Sequence, residues 1–370
     1  MKTLTDSLTI HHPPILECGP GTASKVGEWT AAKGYRRVLV VADAFNADRI
    51  DVLNLPGTAD VSLFADVVPE PDIANLETLV KAAEGFQPDL IIGFGGGSAM
   101  DLAKLASVLI GTGKSIADVE GKNNAPARKT ALVQVSTTSG TGSEVGIRSL
   151  VTDPIANRKV AVESIHMLAD MAVIDAELTV SMPAHVTAAT GVDALAHCVE
   201  AYTNKNAHPI IDHYALQGIR LIGTHLPRAV ANGADTEART AMALASLYGG
   251  ICLGPVNTAA GHAIAYPLGT RHHLAHGIAN ALVFPHVLAF NAPVAQEKTA
   301  HVLDALGTKD ALAFCRNLGI DMNLANHGVP ESDIAAMADE AFAIKRLLDN
   351  NPRDVTLNDI TAVYEASFRA

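Results

Sequence analysis

The feature that most constrains this chain is a change of grammar near residue 181. Before it, short β-rich runs alternate with helical stretches. Arg37–Ala42 (RVLVVA), Val61–Val68, Asp89–Phe94 (DLIIGF), Thr130–Val135 and Met171–Ile174 read as strands, with Ile73–Phe86 and Ala99–Leu109 as amphipathic helices between them. Strand–helix alternation predicts a mainly parallel sheet covered by helices, with ligands beyond the carboxyl ends of the strands. From about Met182 strand-like runs nearly vanish. Ala-rich helical segments punctuated by Pro183, Pro209, Pro227, Pro255, Pro267 and Pro285 run on to Ala370. A chain of 370 residues is too long for one ordinary core. We expect two domains, α/β over 1–181 and helical over 182–370.

Charge and cysteine usage narrow the partners. The formal net charge is −12 and no long Lys/Arg run offsets it. Such a surface repels phosphate backbones and anionic membranes, so neither nucleic acid nor membrane is expected as a partner. The N-terminal MKTLTDSLTIHHPP lacks the apolar core of a signal peptide, and no apolar run is long enough for a bilayer. Cys18, Cys198, Cys252 and Cys315 are far apart without C-x-x-C spacing, which fits free thiols in a cytoplasmic protein.

Three loops at strand ends suggest a nucleotide. In IIGFGGGSAMDLAK a strand ends near Gly93 and a helix begins near Ser98, the expected N-cap. Gly95, Gly96 and Gly97 allow close backbone approach, and free amides at a helix start can hold a pyrophosphate. Asp43 ends the run RVLVVA, where a carboxylate can bond ribose hydroxyls and repel a 2′-phosphate. STTSGTGSE, Ser136–Glu144, follows another strand with hydroxyls and glycines. Singly, these also read as a tight turn, a helix cap and a polar loop. Together they favour a dinucleotide.

The helical half carries a different signal. GVDALAHCVEAY puts Asp193 and His197 four apart, on one helix face, and AAGHAIAYPLGTRHHLAHGIANAL supplies His262 and His276. One carboxylate with neutral imidazoles suits Fe²⁺ or Zn²⁺ better than Ca²⁺. A D-x-x-x-H pair also occurs as an ordinary surface or capping pair.

Taken together, GGGS-x-x-D-x-x-K, TTSGTGSE, GVDALAH and GHAIAYPLG followed by HG-x-AN resemble the iron-containing alcohol dehydrogenases, in order and spacing, from about Tyr35 to Pro285. The resemblance implies an α/β N-terminal dinucleotide-binding domain and an all-α C-terminal domain with the active site between them. It implies Asp193, His197, His262 and His276 as metal ligands, for Fe²⁺ first and Zn²⁺ second. It puts Gly96, Gly97, Ser98 and Asp101 around the pyrophosphate and nicotinamide, and Thr137, Thr138 and Thr141 around the phosphates and adenine. Lys159 matches a lysine near the ribose, and Asp43 an acidic position associated with NAD over NADP. The implied activity is NAD(H)-linked interconversion of a small alcohol and its aldehyde, with the metal acting on the substrate oxygen as a Lewis acid. A homodimer is the family-level expectation.

Two positions depart from the family pattern. Many relatives carry a second histidine four residues after the ligand matching His262; here Tyr266 stands there, and His272 or His273 could replace it as proton relay. Arg148 falls where relatives often carry an uncharged residue, and could bind an anionic substrate group through paired hydrogen bonds. We therefore take Tyr266, His272 and Arg148 as catalytic candidates. Rival readings are maleylacetate reductase-like or glycerol dehydrogenase-like chemistry on the same fold, and an inactive nucleotide-binding protein. The complete ligand set argues against them.

Overall fold

A computed structural model describes residues 2–370. The chain divides into two compact units. One comprises His11–Thr138 and Gly142–Thr179; the other comprises residues 2–10, Ser139–Thr141 and Val180–Ala370. Sequence periodicity did not suggest that residues 2–10 and the tripeptide Ser139–Thr141 would join the helical unit.

The first unit has nine strands: β1 (Ile15–Cys18), β2 (Arg37–Val41), β3 (Asp60–Phe64), β4 (Leu90–Gly95), β5 (Gly121–Lys122), β6 (Ala131–Ser136), β7 (Arg148–Asp153), β8 (Arg158–Glu163) and β9 (Met171–Ile174). Six form a parallel sheet in the order β1-β9-β6-β4-β2-β3. β4 and β6 are buried at every residue, as central parallel strands covered on both faces must be. β3 lies at an edge, and its Asp60 and Val61 are exposed. Helices α1 (Lys25–Lys33), α2 (Ala44–Ala47), α3 (Ile73–Phe86), α4 (Gly97–Leu109) and α5 (Ile116–Val119) connect the strands. Asp72 caps α3 by accepting from Asn75 N at 2.8 Å.

The main sheet is the expected one, with three differences. β1 is only four residues, too short to stand out beside the preceding prolines. The antiparallel pair β7–β8, with β5 beside β8, makes a second, three-stranded sheet. Its turn is held by Asp153 Oδ1, which accepts from Ile155 N and Ala156 N, both at 3.0 Å. At the glycine turn β4 runs on to Gly95 and α4 starts at Gly97. The N-cap is therefore Gly96, without a side-chain bond, and not Ser98.

The second unit is helical: α6 (Ala184–Thr203), α7 (Pro209–Ala231), α8 (Thr236–Val256), α9 (Ala260–His272), α10 (His276–Asn291) and shorter helices to Phe368. Pro183 and Pro209 do stand at helix starts, but Pro227, Pro255, Pro267 and Pro285 lie inside α7, α8, α9 and α10. Proline is costly in an isolated helix; here burial of the helices outweighs that local preference. Among the described residues no helix is long and apolar enough to cross a membrane, and all four cysteines are free.

Arg239 of α8 fixes the start of α6. It is buried at 1% exposure, and among the described residues no carboxylate pairs with it. Its guanidinium donates to Gly233 O at 2.9 Å, Thr187 Oγ1 at 2.8 Å and Met182 O at 3.0 Å. Removing it strands buried acceptors, each worth about 1–3 kcal/mol. Arg239→Met should destabilise the protein by an amount of that order, read as a lower denaturant midpoint at unchanged slope.

Candidate metal centre

Asp193 and His197 lie one turn apart in the middle of α6, both buried. His262 stands in the first turn of α9 and His276 is the first residue of α10. The fold brings the four together: one ligand atom from each lies within 4.8 Å of the others. The three Nε2 atoms surround one oxygen, Asp193 Oδ1, at 3.9 Å (His197), 3.7 Å (His262) and 3.6 Å (His276). Two donors each 2.0–2.2 Å from one tetrahedral ion are about 3.4 Å apart, so the spacing is close to that of a coordination shell. The rings of His197 and His262 stack at 4.7 Å between centroids.

The remaining polar atoms engage the Nδ1 atoms of His197 and His262 and leave their Nε2 atoms to the cluster. His197 Nδ1 lies 3.3 Å from Gly140 O, to which it donates. His262 Nδ1 donates to Glu200 Oε2 at 3.2 Å, and its Nε2 is buried without a hydrogen-bond partner. Asn280 Nδ2 donates to Asp193 Oδ1 at 2.6 Å and lies 3.1 Å from His276 Nε2. His276 is the most exposed ligand, at 24% of its side chain, so the centre is open on that side.

Protonation follows from burial and neighbours. Burial raises the Asp193 carboxyl, but His197, His276 and His262, with the Asn280 hydrogen bond, hold it below the usual carboxylate range. Burial lowers His197 to about 4 against the pull of Asp193, so it is neutral at pH 7. His262 is also pushed down by burial, but Glu200 and Asp193 outweigh this and raise it. A carboxylate, a neutral imidazole and an orphaned buried Nε2 converging on one point fit a borderline divalent cation.

Other expected residues fall as follows. Tyr266, one turn beyond His262, is buried with its ring 6.1 Å from that of His276. His272 instead presents Nε2 to Asp333 at 3.5 Å, and His273 is the left-handed C-cap of α9. Arg148 Nε donates to Glu163 Oε2 at 2.8 Å across β7–β8. Lys159 is paired with Glu70 and donates to Thr152 Oγ1 at 2.8 Å.

In the sheet unit, loops at the ends of adjacent strands β2, β4 and β6 adjoin. A Cβ on Gly95 would lie 3.4 Å from Asp43 Oδ2, and one on Gly96 would lie 3.3 Å from Thr138 Cγ2. Thr137 N donates to Gly95 O at 3.0 Å. Asp43 also caps α2, accepting from Asn46 N at 3.0 Å. Asp101 accepts from Ser143 Oγ at 2.5 Å and Leu150 N at 2.8 Å, and so holds the loop after β6. Gly97 and Ser98 open α4, while Thr141 falls in the helical unit.

Three contributors escaped the sequence reading: Glu200, Asn280 and Gly140. Two had a signal. Asp193, His197 and Glu200 are spaced i, i+4, i+7 on one helix face, and Asn280 is four residues after His276. Gly140 contributes a carbonyl, which no side-chain pattern marks.

Comparison with known proteins gives a consistent picture. The model of the iron-containing alcohol dehydrogenase family matches residues 13–176, and that of the C-terminal domain of the Fe-containing alcohol dehydrogenase family matches 187–368. Long-chain-alcohol dehydrogenase 1 of Geobacillus thermodenitrificans is 37% identical over 96% of this chain and 95% of its own. An NAD-dependent methanol dehydrogenase of Bacillus methanolicus is 33% identical over 95% and 98%. The crystal structure of sulfoacetaldehyde reductase from Bifidobacterium kashiwanohense in complex with NAD⁺ superposes with a TM-score of 0.88 at 28% identity, covering 98% of this chain and 99% of that one.

Asn280→Ala removes the donor that orients Asp193. It should weaken binding of a divalent cation about 10–100-fold, as loss of a ligand's supporting hydrogen bond typically does, read by competition with a chromophoric chelator.

Proposed function

The chain belongs to the iron-containing alcohol dehydrogenase family and is an oxidoreductase acting on CH–OH groups, and from this premise we propose that it interconverts a small alcohol and its aldehyde using NAD(H) and a ferrous ion. The observation that carries the reading is the convergence of three imidazole Nε2 atoms on Asp193 Oδ1 at 3.6–3.9 Å. The four unpaired cysteines fit a reducing compartment, and we place the protein in the cytoplasm.

Asp193, His197, His262 and His276 would hold the ion. Together the two groups supply, when bound, Lewis acidity at the substrate oxygen and hydride exchange at the nicotinamide. The chain's own residues do the rest. The backbone amides opening α4 after Gly96 face outward from a helix start and suit a pyrophosphate. Asp43, beside Gly95, suits the ribose hydroxyls and disfavours a 2′-phosphate. Tyr266, buried against His276, is the group we assign to proton hand-off through its phenolic oxygen. His272, turned to Asp333, is the second candidate. A substrate role for Arg148 requires its guanidinium to be shared between Glu163 and a substrate anion.

A panel of neutral and acidic aldehydes, followed by NADH absorbance on Fe²⁺- and Zn²⁺-reconstituted protein, tests the reading. At least one should turn over, and Asp193→Ala should abolish it. No turnover with either metal would sink the proposal. The same panel on Arg148→Ala decides that residue: an unchanged preference leaves it as the pin between β7 and β8.

Tyr266→Phe should lower kcat on the order of 10²-fold, the usual worth of a positioned proton donor, with metal content unchanged. An unaltered kcat would move the role elsewhere.

A further inference from the structure

Glu200 is buried at 6% exposure, and no part of the reaction outlined above uses it. Its carboxylate reaches from α6 to the start of α9 and meets three N–H groups. Oε2 accepts from the backbone N of Ala259 and from His262 Nδ1, the latter at 3.2 Å. Oε1 accepts from the backbone N of His262 at 3.0 Å. The N-cap residue of α9, Ala259, has no side chain with which to cap those amides. The helix therefore takes its cap from a neighbouring helix. With the carboxylate in this position there is no room for a Cβ at 261: one on Gly261 would lie 2.0 Å from Glu200 Oε1, so a larger residue must displace the carboxylate.

We propose that Glu200 is a positioning residue that caps α9 and, by accepting the Nδ1 proton of His262, fixes the imidazole tautomer whose bare Nε2 is turned to the metal centre. One carboxylate thus sets where His262 sits, through the helix start, and which nitrogen it offers, through the ring. His197 has its Nδ1 directed to the Gly140 carbonyl, a neutral acceptor. His262 has an anionic partner on its second nitrogen, which raises its donor strength as carboxylate–imidazole pairs do. The inference rests on the metal reading above.

Glu200→Gln keeps the shape but supplies one acceptor oxygen where the carboxylate has two. Either amide orientation sets an N–H₂ against an N–H. With the amide nitrogen at the Oε2 position the ring is driven to the opposite tautomer, with Nε2 protonated and lost as a ligand. Gly261→Ala keeps the charge but displaces the carboxylate. Both variants, wild type and His262→Ala are titrated with Co²⁺ against a chelator, and their visible Co²⁺ spectra are recorded. Affinity should fall about 10–100-fold in Glu200→Gln and in Gly261→Ala, with altered Co²⁺ bands. Adding Glu200→Gln to His262→Ala should cost little more, because both act through one ligand.

Wild-type affinity and an unchanged spectrum in Glu200→Gln would overturn the inference while leaving the metal centre standing. Wild-type protein that binds no Co²⁺ would overturn the metal reading and this inference together. The unaltered protein gives a check independent of how the variants fold: when Zn²⁺-loaded it should show a slowly exchanging Nδ1 proton on His262 by NMR. A proton on Nε2 instead would defeat the inference.

Discussion

A carboxylate at 2% exposure, Asp193, is the constraint on which the helical unit turns. An anion taken out of water that far costs several kcal/mol unless positive charge or donors meet it. Asn280 supplies one hydrogen bond to Oδ1; the other groups facing that oxygen are imidazole nitrogens. The Nδ1 atoms of His197 and His262 are committed to Gly140 and Glu200, so the nitrogens they turn to Asp193 are lone-pair edges. Lone pairs and a carboxylate pointed at one spot repel one another. A cation among them turns every one of those repulsions into attraction, which is why this donor set has a chemical meaning beyond packing.

Holding such a cluster needs helices that approach closely. Aspartate has a short reach, so the helix carrying it must lie near the starts of those carrying His262 and His276. The core around α6 is built accordingly, from Ala188, Ala194, Ala196 and Ala201 on that helix with Ala215, Ala229, Ala238, Ala245 and Ala281 on its neighbours. Small side chains bring helix axes to the short end of the usual 8–10 Å. The abundance of alanine in this half follows from the same requirement. Arg239 serves the same end by fastening the first turn of α6 to the segment before α8.

How much of this was legible depended on which physical signal each part leaves in the sequence. The central strands β2, β4, β6 and β9 were legible because buried parallel strands are continuous apolar runs. β1 and the β7–β8 pair were not: β1 has four residues with every second one exposed, and β7 and β8 are short apolar stretches bounded by charged residues at both ends, which read as loop. The four candidate ligands were legible as types and spacings, since Asp193 and His197 share a helix face, but their convergence with His262 and His276 is a tertiary fact. Ser98 was read as a cap because serine commonly is one; the strand simply continues two residues further, and Gly96 takes the place. Prolines inside helices misled in the same direction, because tertiary burial overrides local preference.

The run Ser136–Glu144 shows why motif and role do not map one to one. It reads as a single polar loop, and the resemblance gives it a single task, the dinucleotide. In the structure Thr137 and Thr138 adjoin the glycine turn after β4, Ser143 is held by Asp101, and Gly140 meets His197 in the helical unit. Gly140 is as constrained as any ligand: a Cβ there would lie 2.9 Å from that of Thr190 on α6. Its carbonyl leaves His197 bare at Nε2 by the same logic that Glu200 applies to His262, with backbone in place of a carboxylate. His197 and His262 are thus defined by their second nitrogens as much as by their first. Residues outside the cluster decide which of its atoms can meet a cation.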